Sequence, residues 1–258
     1  MMDYNKIVDL VKEAGTIVFD ETLRTEIKMK GEADFVTAVD TKISTFLKEK
    51  LAVLTPDIGF MSEEEDYELE PVRWILDPID GTTNLVYGYN LSSVSLALCD
   101  HEEIVFGVVH NPYNQETFIA EKGKGATFNG KPLPACPDRE PADSLIEFGA
   151  GSTRKHQAEL AFSIGQEVFE NFLDVRRMCS SALAVCYVAC GRLGGYFEKK
   201  LKPWDIAAGT LILEECGGKA ATWEGDPVPF DKPSSYVCGA PKSFEKLCEI
   251  IKKYNQEN

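Results

Sequence analysis

The chain predicts a mixed α/β protein of layered sheets and helices, and three observations predict it. Helical periodicity opens the sequence, short β-rich runs joined by polar turns follow, and strand-like and helix-like segments alternate through the second half.

The elements follow in order. Ile7, Val8, Val11, Ile17 and Val18 recur at helical spacing among Asp3, Lys6, Asp9, Lys12 and Glu13, which predicts an amphipathic helix over 4–20. Thr37-x-x-Asp40 ahead of Ile43, Phe46, Leu47, Leu51 and Leu54 is a helix start with an apolar stripe, so Asp40 falls in the first turn. Strands are expected at 58–61 and 72–76, each delivering acids at its end: Glu63 to Glu65, and Asp77. Runs at 94–98, 104–109 and 117–120 suggest an antiparallel meander, with turns at Lys122-Gly123-Lys124-Gly125 and Asn129-Gly130. Pro132, Pro134, Pro137 and Pro141 mark a boundary between a region 1–132 and a region 143–258 of one domain spanning 1–258. Beyond it the pattern reads strand 145–148, helix 156–172, strand 174–178, small-residue helix 181–190 and strand 195–197. Pro203-Trp204-Asp205 then opens an apolar helix that stops at Gly217-Gly218.

Composition excludes several classes. With 44% hydrophobic residues in 258, the chain can build a core, and disorder as its main state is excluded. A net charge of −15 argues against non-specific nucleic-acid binding, which needs Lys and Arg on phosphates, yet it leaves room for phosphate chemistry mediated by a cation. No apolar run approaches the roughly 20 residues that span a bilayer, and the N-terminus lacks the order of a signal peptide. Eight cysteines without a C-x-x-C pair favour neither zinc nor a disulfide framework, so a cytoplasmic chain with reduced thiols is expected. Cys179, beside Ser180, is the one to watch. His101, His110 and His156 form no Ser-His-Asp or zinc pattern.

The informative segment is Trp74-Ile75-Leu76-Asp77-Pro78-Ile79-Asp80-Gly81-Thr82-Thr83-Asn84. A buried strand would end at Asp77, Pro78 fixes φ and removes a donor, and Asp80 returns in a turn. Two carboxylates and the Ile79 carbonyl then converge. Gly81 permits close backbone approach, and the amides of Gly81 and Thr82 would point outward at a helix start, a seat for a phosphoryl group. Hard oxygen ligands beside that seat suit Mg²⁺. The same residues also read as an Asx-type turn in which Asp80 caps Thr82 and Thr83.

This string resembles the first signature of the inositol monophosphatase family, D-P-[IL]-D-G-T-x-N. Trp204-Asp205-Ile206-Ala207-Ala208-Gly209, with Glu214 or Glu215 and Gly217-Gly218, is similar to its second signature; Asp34-x-Val36-Thr37-x-x-Asp40 and Glu63-Glu64 match two further landmarks. The resemblance implies a layered αβαβα sandwich of the inositol monophosphatase and sugar phosphatase type, a homodimer, inhibition by Li⁺, and Mg²⁺-dependent hydrolysis of a phosphomonoester by metal-activated water, with two or three Mg²⁺ per active site. Glu63, Asp77 and the Ile79 carbonyl would hold a first ion, Asp77, Asp80 and Asp205 a second, with Glu63 sharing a weaker third. Thr82 hydrogen-bonded to Asp40 would orient the attacking water and relay its proton, completing a catalytic set with Glu63.

Some positions carry two readings. Asp205 and Asp40 also suit helix capping. Glu64 competes with Glu63 as the ligand, while Glu65, Asp66, Glu68 and Glu70 read as a solvated acidic loop. Glu198, seven residues before Asp205, has the family spacing for the acid that binds inositol hydroxyls, and equally reads as a strand-end charge. Ser152 matches a family Ser at the substrate mouth. Ser180-Ser181-Ala182 corresponds to a Gly-Ser-Ala stretch in which Ser180 takes the place of Gly. Lys30 approximates a family Lys near the phosphate, in competition with Lys28. The substrate-side set is thus Lys30, Asp80, Gly81, Thr82, Ser152, Ser180, Ala182, Glu198 and Asp205. The expected substrate is a small phosphorylated polyol or sugar, inositol 1-phosphate first. Fructose 1,6-bisphosphate and a 3′-phosphorylated adenosine bisphosphate are alternatives, with cations supplied by the Glu198-Lys199-Lys200-x-Lys202 run. A regulatory or binding protein that keeps the fold is a further alternative, against which the complete acid set stands.

Overall fold

The computed structural model describes residues 2–31, 34–65, 67–151 and 155–255. Helix α1 (Tyr4–Gly15) begins where Asp3 accepts the Asn5 amide at 3.2 Å, and its stripe of Ile7, Val8, Val11 and Ala14 is buried. The expected helix over 4–20 is present, tightening to a 3-10 turn at Thr16–Phe19. Helix α2 (Glu21–Thr25) and the antiparallel pair β1 (Ile27–Gly31) and β2 (Asp34–Thr37) follow. Their periodicity is too short to be read from sequence. Helix α3 (Ala38–Leu54) starts at the anticipated cap: the Thr37 hydroxyl accepts the Val39 amide at 3.2 Å and the Asp40 carboxylate accepts the Thr37 amide at 2.9 Å.

The first sheet has seven strands in sequence order: β3 (Gly59–Ser62), β4 (Val72–Asp80), β5 (Ser93–Asp100), β6 (Glu103–Asn111), β7 (Glu116–Glu121), β8 (Ala126–Phe128) and β9 (Lys131–Pro132). Only β3 and β4 run parallel; the rest is the anticipated meander, extended by β8 and β9. Helix α4 (Thr82–Tyr87) lies between β4 and β5. The second sheet takes β10 (Leu145–Phe148), β11 (Asp174–Arg176), β12 (Gly195–Leu201), β13 (Lys219–Ala221) and β14 (Ser234–Gly239) in the order β11-β10-β12-β14-β13. Its helices are α5 (Ala158–Asn171), α6 (Ser181–Ala189), α7 (Pro203–Glu215) and α8 (Pro241–Asn255).

Strand parity builds the layers. On β4, Trp74 and Leu76 face α1 and α3 in one apolar cluster, while Ile75 joins α6 and α7 in another. On the second sheet, Ile146, Phe148, Phe197 and Val237 pack with Ile164 and Val168 of α5 and Leu247, Ile250 and Ile251 of α8, whereas Tyr196 and Tyr236 point inward. Helices α6 and α7 are apolar nearly all round because both sheets cover them. The order of layers is α1/α3, seven strands, α6/α7, five strands, α5/α8, the anticipated αβαβα sandwich.

Two expectations need correction. Strand β4 does not end at Asp77: it continues through Pro78 to Asp80, with a register shift against β5 between Asp77 and Asp80, so a bulge replaces the turn. Nor does the strand expected at 195–197 leave Glu198 as a strand-end charge: β12 runs on to Leu201, so the Glu198-Lys199-Lys200 run is its second half, with Glu198 paired to Tyr236 of β14. The chain beyond Gly218, with β13, β14 and α8, was not anticipated at all.

Candidate active site

The bulged end of β4 sets the site. Asp77 and Asp80 are 2% and 6% exposed, both lining a cavity of about 290 Å³ where the two sheets and α7 meet. Asp77 Oδ1 accepts the Ile79 amide at 3.0 Å, which holds the bulge. Glu63 from the end of β3, Asp205 from the first turn of α7, and Glu198 from β12 line the same cavity, together with Ile79, Gly81 and Thr82. Parity puts Glu198 there, since Tyr196 and Glu198 share the inward face of β12.

Burial dominates the electrostatics. It raises Asp77 well above the ordinary carboxylate range, and repulsion from Glu63, Asp80, Asp205 and Asp40 raises it further. Asp205 is raised well above that range by burial, despite accepting the Lys202 amide at 2.7 Å, with repulsion from Asp80, Glu63 and Glu198 adding to the rise. Burial brings Asp80 to about 6, even though four donors favour its charged form. Those donors are the Ser180 hydroxyl and the amides of Ser181 at 3.1 Å, Ala182 at 3.0 Å and Leu183.

Asp40 stands behind the wall. It is 1% exposed, raised to about 6 first by burial, and its Oδ1 lies 3.1 Å from the Thr82 hydroxyl. That hydroxyl also lies 3.0 Å from the Ile79 carbonyl, so one proton serves two acceptors. The two neighbouring glutamates act in different places: Glu63 repels Asp77 and Asp205, and Glu64 repels Asp40. Glu65 pairs with Lys48 rather than standing in a solvated loop.

Gly81 has φ of 87°, and a Cβ there would come within 3.0 Å of the Leu91 carbonyl and 3.1 Å of the Cys179 carbonyl, so the close approach read from the sequence is present. Ser180 and Ala182 do not reach the cavity. They touch Asp80 from the helix side instead, and the Ala182 side chain is fully buried. Backbone φ is 57° at Cys179 and −142° at Ser180, so the left-handed conformation that favours glycine falls on Cys179, next to the Ser180 that stands in place of the family Gly. Ser152 and the side chain of Lys30 lie outside the described residues.

Sequence reasoning missed Arg177 and gave Asn84 no role, and both line the cavity, beside Cys179, which the sequence singled out, and Lys200, from the run expected to supply cations. Asn84 ties the site together, its Nδ2 donating to Leu91 O at 2.8 Å and Met178 O at 2.7 Å; the family string contained it, but spacing alone gave no role. Tyr196 donates to Glu198 Oε2 at 2.8 Å and meets Ser181 Oγ at 2.9 Å, a network hidden until β12 and α6 face each other.

Carboxylates, a backbone carbonyl and hydroxyls are the donor set that a hard divalent cation takes, and mutual repulsion within the cluster is what such a charge would relieve. Among the described residues no three of these side chains already stand in ligating geometry, so the fit is one of donor chemistry.

The fold and this acid-lined cavity define a phosphoric monoester hydrolase. The chain belongs to the inositol monophosphatase family, whose sequence pattern matches residues 3–256. It is 35% identical over 261 residues to an inositol-1-monophosphatase of Rhizobium meliloti, covering 96% of each chain. It is 32% identical to a fructose-1,6-bisphosphatase/inositol-1-monophosphatase of Aquifex aeolicus, covering 92% of this chain and 89% of the other. The solved Thermotoga maritima IMPase superposes with a TM-score of 0.90 at 27% identity, covering 98% of both chains. An IMPase/NADP phosphatase solved with Mg²⁺ and phosphate superposes at 0.84 with 25% identity, covering 95% of this chain and 93% of that one. No helix among the described residues is long and apolar enough to cross a membrane.

Proposed function

We propose that the chain hydrolyses inositol 1-phosphate to inositol and phosphate with two or three Mg²⁺. The observation that carries this reading is the gathering of Glu63, Asp77, Asp80 and Asp205 around one cavity whose wall holds the Thr82 hydroxyl against Asp40. Glu63, Asp77 and the Ile79 carbonyl hold one ion, Asp77, Asp80 and Asp205 a second, and Glu63 shares a third. Bound Mg²⁺ supplies neutralisation of the phosphoryl charge, a lowered pKa for water and support for the leaving alkoxide.

The protein's own groups do the rest. Thr82 Oγ1 orients the nucleophile and passes its proton to Asp40 Oδ1, whose elevated pKa of about 6 lets it hold that proton near neutrality. The amides of Gly81 and Thr82 at the start of α4 face the phosphoryl oxygens. Glu198, oriented by Tyr196, accepts hydroxyls of the polyol. Both sheets rest on the α6/α7 layer, which supports treating 1–258 as one domain. A homodimer, sensitivity to Li⁺ and a cytoplasmic setting complete the reading and rest on membership of the family.

Arg177 and Lys200 in the cavity lining favour a second reading, in which the substrate carries a second phosphate, as in fructose 1,6-bisphosphate. A panel of phosphomonoesters assayed with Mg²⁺ decides between them: bisphosphates preferred by about tenfold in kcat/KM, roughly 1.4 kcal/mol, would overturn inositol 1-phosphate. Asp80→Asn tests the site itself and should nearly abolish turnover in a folded protein. Full activity in that variant would refute the metal assignment.

A further inference from the structure

The chain passes from β11 to α6 through residues 177–180, and this crossing is held from both sides. Glu147 Oε1 accepts the amides of Met178 at 2.9 Å and Cys179 at 3.2 Å. From the opposite side, Asn84 Nδ2 donates to the carbonyls of the same two residues, at 2.7 and 3.4 Å. Cys179 is thereby kept at a φ of 57°, with its carbonyl close to Gly81. The next four residues, Ser180, Ser181, Ala182 and Leu183, supply the donors that meet Asp80.

Glu147 is an expensive residue to keep here. It lies on β10 between Ile146 and Phe148, which pack toward α5 and α8, so its side chain takes the opposite, inward face. It is 2% exposed, and its second oxygen, Oε2, has no hydrogen-bond partner among the described residues. Burial pushes the carboxyl up to about 7. An apolar side chain would suit packing better, because an orphaned buried oxygen costs free energy that nothing in the core returns.

We infer that Glu147 is a positioning residue for Asp80: by fixing the Met178 and Cys179 amides it sets where Ser180, Ser181 and Ala182 present their donors, and so how the Asp80 carboxylate faces the cavity. The inference rests on the reading of Asp80 as a Mg²⁺ ligand. What matters is an acceptor at the reach of Oε1, not the charge.

Glu147→Gln keeps the reach and loses the charge, whereas Glu147→Asp keeps the charge and loses a methylene of reach. Mg²⁺ affinity, measured by calorimetry on the full chain, should stay within about twofold of the parent in Glu147→Gln and weaken roughly tenfold in Glu147→Asp, in the range of outer-shell groups at metal sites. Val168→Ala, in the core on the far face of the same sheet, controls for lost stability and should leave Mg²⁺ affinity unchanged at a lowered Tm. Glu147→Asp binding as well as Glu147→Gln, or Val168→Ala weakening Mg²⁺ as much as Glu147→Asp, overturns the inference. Asp80→Asn in the same titration separates the two levels. If it binds Mg²⁺ like the parent, the ligand reading itself fails; if it loses binding while Glu147→Asp does not, only the positioning role falls.

Discussion

Helices α3 and α7 start alike and end up with different tasks. Each carries an aspartate in its first turn whose carboxylate accepts the amide of the residue before the helix: Asp40 takes the Thr37 amide at 2.9 Å, and Asp205 the Lys202 amide at 2.7 Å. At α3 the box is reciprocal, since Thr37 has a hydroxyl to return. At α7 Lys202 has none. Asp40 is sealed behind Thr82, whereas Asp205 opens onto the cavity. Capping chemistry is therefore common to both, and what distinguishes a buried relay from a charge in the cavity is which element lies in front of the second oxygen.

The sharpest way to break this comparison is to neutralise each aspartate while keeping its acceptor. Asp205→Asn still caps α7 but removes a cavity charge, so kcat/KM with Mg²⁺ should fall on the order of a thousandfold, the several kcal/mol that metal stabilisation supplies. Asp40→Asn removes a proton acceptor one group back and should cost roughly a hundredfold. Equal losses in the two variants would sink the division of labour. Without metal, Asp205→Asn should melt higher than the parent, because repulsion from Asp80, Glu63 and Glu198 is relieved; a lower metal-free Tm counts against a repulsive cluster.

A pH series sharpens the same contrast. Asp40 and Asp80 are both lifted from 3.8 to about 6 in the fold. The folded state thus prefers their protonated forms, so their contribution is fully present below the unfolded carboxylate range and is lost as pH rises through about 6. Relative to an Asp40→Asn/Asp80→Asn double variant, the metal-free parent should lose Tm steadily from about pH 4 to about pH 7. A difference that is flat over that window, or that runs the other way, contradicts the assignment.

Smaller effects are expected where hydrogen bonds only orient. Tyr196→Phe removes one donor to Glu198 and should raise KM for a polyol phosphate about fivefold, the worth of one hydrogen bond near 1 kcal/mol, while a substrate without hydroxyls, such as p-nitrophenyl phosphate, is unaffected. A parallel loss on both would show that Glu198 does not read the polyol. The smallest change is Cys179→Gly, which relaxes a left-handed backbone and should raise Tm by ~2–4 °C for about 1 kcal/mol, with turnover intact. Calorimetry checks it, and a drop in Tm would mean that the thiol packs better than the backbone conformation costs.

Local patterns made much of this legible. The cap at Thr37, the meander from β5 to β7 and the all-apolar α6 and α7 are each encoded within about a dozen residues, and the string around Asp77 and Asp80 stands out because each of its positions has a mechanical use. What was not legible depends on partners distant in sequence. Asp80 meets Ser180 across a separation of 100 residues, and the glycine-favouring place at Cys179 is visible only as a dihedral angle. Short β1, β2, β8, β9 and β13 owe their existence to pairing rather than to propensity. Glu147 looks like an ordinary strand residue until its parity turns it inward.

The cavity where Glu63, Asp77, Asp80 and Asp205 meet is also the place where the two sheets come together. Like charges held there push the halves of the molecule apart, and a divalent cation among them would act as a rivet across the seam. Starved of magnesium, the protein should open first at that joint and be cut by proteases near residues 177–180, so the supply of the ion would govern how long each copy survives as well as how fast it works.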